Sequence, residues 1–388
     1  MKSLKICMLT IAPFTPTGGA ENLTYQLVQS LARKGHQISV VCSPTTGIFP
    51  AKGMAETQNI NIYPISKPGK IGLIRNFLSL CSLLRRERFN IIHTHFIFPT
   101  GTMGLVGKLF RMPIVVTSHG VDIQKDKEIG YGMRLNKLAA IIIWFTLKAI
   151  DCLIVVSKSM VEDAIDAGCS PSKIRVVYNG IDLEGIPSLC SSNILERNGI
   201  TKNDFIVLYL GRLHAKKCPE DLVKAFPKVI QEVPNAKLIF AGAGEQEGKL
   251  RGLSSDLNLE GKVIFTGHVS GDDKWHLFKN CDIFVLPSLV EGHPIAMIEA
   301  MACAKPVVAT NLAPFPEIIK DGETGLLVPV HSPDDLANAI IELALDEDKK
   351  IKMGEMAKRD VKERFDINKT ADEYLEIYGG VINRGKRG

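Results

Sequence analysis

The chain has 388 residues, 45% of them hydrophobic and 23% charged, with a formal net charge of +5. That length exceeds what one hydrophobic core usually serves, so two domains are expected, and the composition is that of an ordinary soluble globular protein. The mild positive charge tolerates anionic ligands or an acidic membrane surface and does not call for nucleic acid as a partner.

Lys2–Thr10 carries too short an apolar run for a signal peptide and reads as a first strand over Leu4–Thr10. Further strands are predicted at Gln37–Cys42, Ile60–Ile65, Asn90–Thr94, Pro113–Ser118, Asp151–Val156 and Ile174–Tyr178. They are rich in Ile and Val and apolar on both faces, as parallel strands covered by helices should be. Amphipathic helices separate them. One runs from Glu21 to Lys34, with Leu23, Leu27 and Leu31 on one stripe and Gly35 as its C-terminal cap. The longest apolar segment, Leu138 to Phe145, is less than half of what a bilayer span needs.

Asp182 to Lys202 is polar and irregular and reads as a linker. The second half then repeats the scheme, with strands predicted at Phe205–Leu210, Lys237–Ala241, Val263–Thr266, Asp282–Leu286, Pro306–Thr310 and Gly325–Val328. Charged helices follow from about Ser332, and Arg384 to Gly388 is expected to fray. The whole is a doubly wound α/β pattern: two Rossmann-like parallel-sheet domains expected to face across a cleft, with ligands beyond the carboxyl ends of the strands.

Nine cysteines are scattered without a C-x-x-C pair, and Cys7, Cys42, Cys152 and Cys281 lie in or beside apolar runs. They are expected to be reduced, buried thiols of a cytoplasmic protein, and neither a disulfide frame nor a zinc site.

The stretch Phe284–Thr310 concentrates the chemistry. Its first apolar run ends at Pro287 and Ser288; Glu291, Gly292, His293 and Pro294 follow, then a helix over Ile295–Ala302 and a second strand. Two carboxylates, Glu291 and Glu299, bracket this strand-to-helix junction, where a protein can grip sugar hydroxyls while backbone N–H groups face a phosphate.

Other loops after strands supply candidate partners. Pro16-Thr-Gly18-Gly19-Ala-Glu21 fits either a plain turn or an anion cradle at a helix N-terminus, and it does not match the dinucleotide fingerprint. His119-Gly120 ends a Val-rich strand and could reach a substrate oxygen; a structural histidine is the alternative. His93 and His95, alternating on one strand face without a carboxylate or cysteine nearby, read as structural. Gly211-Arg212-Leu-His-Ala-Lys-Lys217 projects cations from one loop, suited to neutralising a departing diphosphate, or it is simply a solvated basic loop. Gly242 and Gly244 permit close backbone approach, here to a nucleotide. No Asp-x-Asp pair stands where a divalent metal would be held, so no metal is expected.

Taken together, these residues resemble the retaining glycosyltransferase family 4, of the GT-B fold with its two Rossmann-like domains. The resemblance rests on Gly18-Gly19-Ala20-Glu21, His119-Gly120, Asn179-Gly180-Ile181-Asp182, Gly211-Arg212-Leu213 with Lys217, the Glu291–Glu299 pair, and Asp321 to Pro329, in the family's order and spacing from about residue 4 to 378. It implies an acceptor domain over residues 1–184, a C-terminal helix at about 366–388 packing back on that domain, and a nucleotide-sugar domain over 185–365.

It further implies a hexosyltransferase that needs no divalent metal or other cofactor. Glu291 would hold hydroxyls of the donor sugar and Glu299 the ribose. Arg212 and Lys217 would stabilise the leaving diphosphate, Gly19 would give it an N–H, and His119 would contact the transferred sugar. Gly18, Gly211, His293, Pro294 and Ile295 would line the nucleotide sugar, with the backbone around Gly242 and Val269 bearing on base choice. Cys218, Ala304 and His293 depart from the family's usual Gly, Gly and aromatic.

The expected acceptor is a glycan or a lipid-linked sugar. Lys67–Arg88 offers an amphipathic helix whose Arg75, Arg85, Arg86 and Arg88 could rest on anionic lipid as a peripheral contact at the inner face of a membrane; an ordinary surface helix is the alternative. Two rival readings remain at this stage, a nucleotide-sugar epimerase on the same scaffold and a non-catalytic nucleotide-sugar-binding protein.

Overall fold

The computed structural model describes residues 3–10, 18–43, 59–65 and 70–385. Pro16 and Thr17 of the first glycine-rich loop, the start of the Lys67–Arg88 segment, the side chains of residues 70–74 and the last three residues lie outside that description. The chain divides into two compact units, residues 1–180 with 367–388, and residues 181–366.

The first unit is built on β1 (Lys5–Leu9), β2 (Gln37–Cys42), β3 (Ile60–Pro64), β4 (Ile91–His95), β5 (Ile114–Ser118), β6 (Cys152–Val155) and β7 (Ile174–Val176). They form one seven-stranded sheet in the order β3-β2-β1-β4-β5-β6-β7, and every pairing is parallel. Strands β4, β5 and β6 are buried along their whole length, which is why their sequences are apolar apart from the carboxyl ends of β4 and β5, where His93, His95, Thr117 and Ser118 sit. The main helices that cover them are α1 (Gly19–Arg33), α2 (Lys70–Glu87), α3 (Lys137–Ala149) and α4 (Met160–Asp166). In α1 the stripe Leu23, Leu27, Leu31 is fully buried, and Gly35 at φ 85° takes the left-handed turn that stops the helix.

The second unit carries β8 (Phe205–Leu210), β9 (Ala236–Ala241), β10 (Val263–Gly267), β11 (Ile283–Leu286), β12 (Val307–Thr310) and β13 (Gly325–Val328). Their order is β10-β9-β8-β11-β12-β13, again parallel throughout. Its longer helices are α5 (Pro219–Glu232), α6 (Glu247–Asp256), α7 (Gly271–Asn280), α8 (Ile295–Ala302), α9 (Pro333–Leu345) and α10 (Glu347–Arg364).

The last helix, α11 (Ile367–Gly385), belongs to the first unit. Its apolar stripe of Tyr374, Leu375 and Tyr378 is buried there, and Lys34 Nζ pairs with Asp372 at 2.7 Å. At the crossing, a Cβ on Gly180 would lie 2.4 Å from Thr370 Oγ1 and 2.8 Å from Ile367 Cα, so the glycine of the Asn-Gly-Ile-Asp motif is a packing requirement. All nine cysteines are free. Among the described residues no helix is long and apolar enough to cross a membrane.

Candidate functional site

In the second unit the strand order reverses between β8 and β11, and in parallel α/β sheets ligands bind beyond the strand ends at such a reversal. The loops after these two strands are sewn together: the Leu289 N–H donates to the Lys216 carbonyl at 2.8 Å. Cys218, at φ 44°, swings the chain from the Ala215–Lys217 turn into α5.

The result is a direct contact, in which Lys217 Nζ donates to Glu291 Oε1. The two side chains are only 16% and 7% exposed. Burial alone would raise the Glu291 carboxyl, but the charges of Lys217 and Lys216 and the Lys217 hydrogen bond hold it below its ordinary value. Burial pulls Lys216 the other way, below the usual lysine range.

Arg212 is placed differently. Its side chain is 73% exposed and sits 3.7 Å from Glu245, a loose ion pair that leaves the guanidinium able to turn toward a ligand.

Glu299 lies inside α8, buried, and accepts from Lys274 Nζ of α7 at 2.8 Å. Lys274 had no signal in the sequence: it is one lysine in a charged helix, 25 residues from its partner.

The glycines act through backbone contact. The Gly242 N–H donates to Gly267 O at 2.8 Å and the Gly211 N–H to Ala241 O at 3.0 Å, joining the turns after β8, β9 and β10. A Cβ on Gly242, at φ 149°, would fall 1.9 Å from the Gly211 carbonyl oxygen. Val269 is buried just after β10.

His293, Pro294 and Ile295 are buried at the entry to α8. The His293 ring meets Phe365 edge-on with centroids 5.1 Å apart, and burial, aided by the Arg364 charge, pushes its imidazole down to about 3.

In the first unit, Gly18 caps α1 and Gly19 is its exposed first residue. The Glu21 carboxylate folds back over this turn, since a Cβ on Gly18 would lie 2.3 Å from Glu21 Oε2. A negative side chain thus occupies the positive end of the helix.

His119 ends β5 and its Nε2 lies 2.9 Å from His95 Nδ1, with the two rings stacked at 5.2 Å between centroids. Phe96, held at φ 71°, sets its ring 4.9 Å from that of His119. Burial pushes His119 down to about 4 and His95 well below the usual range, so both imidazoles are neutral near pH 7. One proton then serves the bond between them, so the tautomer of one ring is coupled to that of the other.

His93 continues the cluster as a packing element, 2.8 Å from Thr117 Oγ1 and 2.7 Å from Tyr378 Oη. Asp122 anchors the loop from below, accepting from the Ile97 N–H at 2.6 Å and from the Ser118 hydroxyl. The alternating histidines of β4 were legible in sequence, but the His95–His119 contact was not, because it joins adjacent strands.

Among the described residues one group of potential metal ligands, Cys218, Asp221 and His331, brings its donor atoms within 4.8 Å of one another. His331 Nδ1 is 3.1 Å from Asp221 Oδ2, and burial pushes the Cys218 thiol up to about 12.

Comparisons with known proteins identify the family and the fold. Residues 17–184 match the family model described as Glycosyltransferase Family 4, and residues 191–360 the one described as Glycosyl transferases group 1. An N-acetyl-α-D-glucosaminyl L-malate synthase of Bacillus anthracis is 28% identical over 97% of this chain and 98% of its own. A UDP-Gal:α-D-GlcNAc-diphosphoundecaprenol α-1,3-galactosyltransferase of Escherichia coli is 26% identical over 97% of this chain and 96% of its own. The fold is similar to that of Anabaena HepE, crystallised with UDP and glucose, at a TM-score of 0.81 and 22% identity over 97% of this chain and all of that one.

Proposed function

The chain belongs to glycosyltransferase family 4, and we propose that it moves a hexose-type sugar from a nucleotide-diphosphate sugar to a glycan or lipid-linked acceptor, with retention and without a divalent metal. The observation that carries this reading is the buried Lys217–Glu291 pair at the reversal of the second sheet. A cation and a carboxylate held together there can separate onto a ligand that offers both phosphate and hydroxyls.

Transfer breaks the bond between the sugar's anomeric carbon and the diphosphate oxygen, and negative charge grows on that oxygen. Lys217 and the mobile Arg212 offset that charge, the part that a divalent metal plays in other transferases. Glu291, released from Lys217, accepts hydrogen bonds from donor hydroxyls. Glu299 turns from Lys274 to the ribose. By the family resemblance, His119 would contact the transferred sugar and the Gly18–Gly19 backbone would offer N–H groups to the diphosphate. The acceptor hydroxyl forms the new bond on the face that the diphosphate leaves.

The relatives' names point to a UDP-hexose as the donor to test first, since HepE was crystallised with UDP and glucose and the Escherichia coli enzyme is named for UDP-Gal. A thermal-shift panel of UDP-, GDP- and ADP-sugars tests the proposal. A ligand that binds the folded state at 100 times its dissociation constant stabilises by about 2.7 kcal/mol, a readable rise in midpoint. If no nucleotide sugar raises the midpoint at millimolar concentration, the donor assignment fails.

A further inference from the structure

We propose that the outer face of α3 is a docking surface for an anionic lipid bilayer. A surface helix normally turns polar residues to solvent, yet α3 is apolar on both sides. Ile143, Thr146 and Leu147 are buried against the first unit, while Leu138, Ile141, Trp144 and Phe145 on the other face are 67%, 53%, 44% and 61% exposed. Leu135, just before the helix, extends the patch. These side chains expose on the order of several hundred Å² of contiguous apolar surface, the size at which a patch marks an interaction site.

The charges around this face decide which partner it fits. From Ile129 to Ile150 the sequence contains no Asp or Glu, and its cations are Arg134, Lys137 and Lys148. Lys137 and Lys148 stand at the two ends of the helix, and Lys148 Nζ lies 5.4 Å from the Trp144 ring centroid. Asp166, on the neighbouring α4, is paired with both Lys125 and Arg134.

Trp144 has a built seat, because a Cβ on Gly168 would lie 2.3 Å from its Cδ1. An aromatic and aliphatic face on a helix whose own charges are all cations, with the nearby Asp166 already paired to Lys125 and Arg134, is the pattern of a helix lying in the headgroup region of an acidic membrane. A second copy of the chain fits less well, since a two-fold contact of α3 on α3 would bring Lys137 and Lys148 of both copies together on helices that carry no Asp or Glu. A helix of 13 residues is also too short to span a bilayer.

The proposal puts the lipid contact on α3 and not on α2, for which the sequence offered both a lipid contact and an ordinary surface helix. Among the described side chains there, Phe77 and Leu78 are exposed but Leu80, Leu83 and Leu84 are buried in the unit's core.

The test uses the full chain with vesicles of phosphatidylcholine, with and without phosphatidylglycerol. Sedimentation should show binding only to the anionic vesicles, weakened by salt. Leu138→Ser with Phe145→Ser should reduce it about tenfold or more, while Arg85→Glu with Arg86→Glu changes it far less. In Trp275→Phe, Trp144 is the single tryptophan, and its emission should shift to the blue and be quenched by lipids brominated on the acyl chain.

Equal binding by the Leu138/Phe145 variant, absence of quenching, or loss of binding confined to the Arg85/Arg86 variant would overturn the proposal. A wild-type dimer that the Phe145→Ser change makes monomeric would also overturn it, assigning the face to a second copy. None of these readouts depends on sugar transfer.

Discussion

His119 Nε2 lies 2.9 Å from His95 Nδ1, and both rings are neutral because burial disfavours their charged forms. In the proposed site His119 would therefore act as an oriented dipole and not as a cation. Removing its neighbour should free the ring to rotate and to choose its tautomer. His95→Ala is expected to lower kcat by about tenfold with little change in donor KM, and His119→Ala to lower it further. A double variant no slower than His119→Ala alone would show that His95 acts through His119; independent, multiplying losses would refute that.

Lys217 and Arg212 share an assigned role but should differ in stability. Lys217→Ala removes the ion pair of the buried Glu291 carboxylate, a loss that typically costs about 3–5 kcal/mol. Arg212→Ala removes an exposed, loose pair and should cost less than about 1 kcal/mol. Both should cut turnover by about a hundredfold or more. Lys217→Met combined with Glu291→Gln should recover much of the lost stability and none of the activity. Melting curves and rates on the four proteins check this, and wild-type turnover in either single variant would remove that residue from the mechanism.

Glu299→Gln and Lys274→Met both disturb the 2.8 Å pair between α8 and α7. If Glu299 serves the nucleotide, Glu299→Gln should raise donor KM several-fold with kcat largely kept. A fall in kcat alone would place Glu299 at the reacting sugar instead.

Gly242→Ala should be severely destabilising, because the added Cβ meets the Gly211 carbonyl oxygen at 1.9 Å and φ 149° is a glycine conformation. A loss of about 3 kcal/mol or more in denaturant titration is expected. A well-folded Gly242→Ala protein would mean that the two turns can part.

Acid should destabilise the fold through its buried histidines. His93 and His293 have imidazoles pushed down to about 3, so the unfolded chain takes up protons first as pH falls. Stability is then complete above the unfolded value of about 6.5 and declines below it, by roughly 1–2 kcal/mol per ring between pH 6.5 and 5. His293→Phe keeps an aromatic ring against Phe365 and should flatten the pH dependence of the melting temperature. An unchanged slope would show that this ring is solvated or paired when charged.

Much of this protein was legible in its sequence because the cues are local. A parallel strand buried on both faces needs a continuous apolar run, so β2, β8 and β13 fall on the predicted residues. Gly35 and Pro294 mark helix ends through backbone rules that need no tertiary context. The order of the glycine, histidine and cation-bearing loops identified the family and the alternating α/β architecture, because each loop must follow its own strand.

Pairing across the sheet was decided only in three dimensions. Lys217 meets Glu291 because strand order, not sequence order, makes β8 and β11 neighbours, and His95 meets His119 because the successive strands β4 and β5 pair in the register that aligns their ends. Lys274 with Glu299 depends on how two helices pack on one face, and the exposed side of α3 on what that helix covers. Composition could say that Leu138–Phe145 was too short to span a bilayer. Whether its apolar residues pointed inward or out was settled by packing, since a helix apolar all round carries no sequence mark for the side left uncovered.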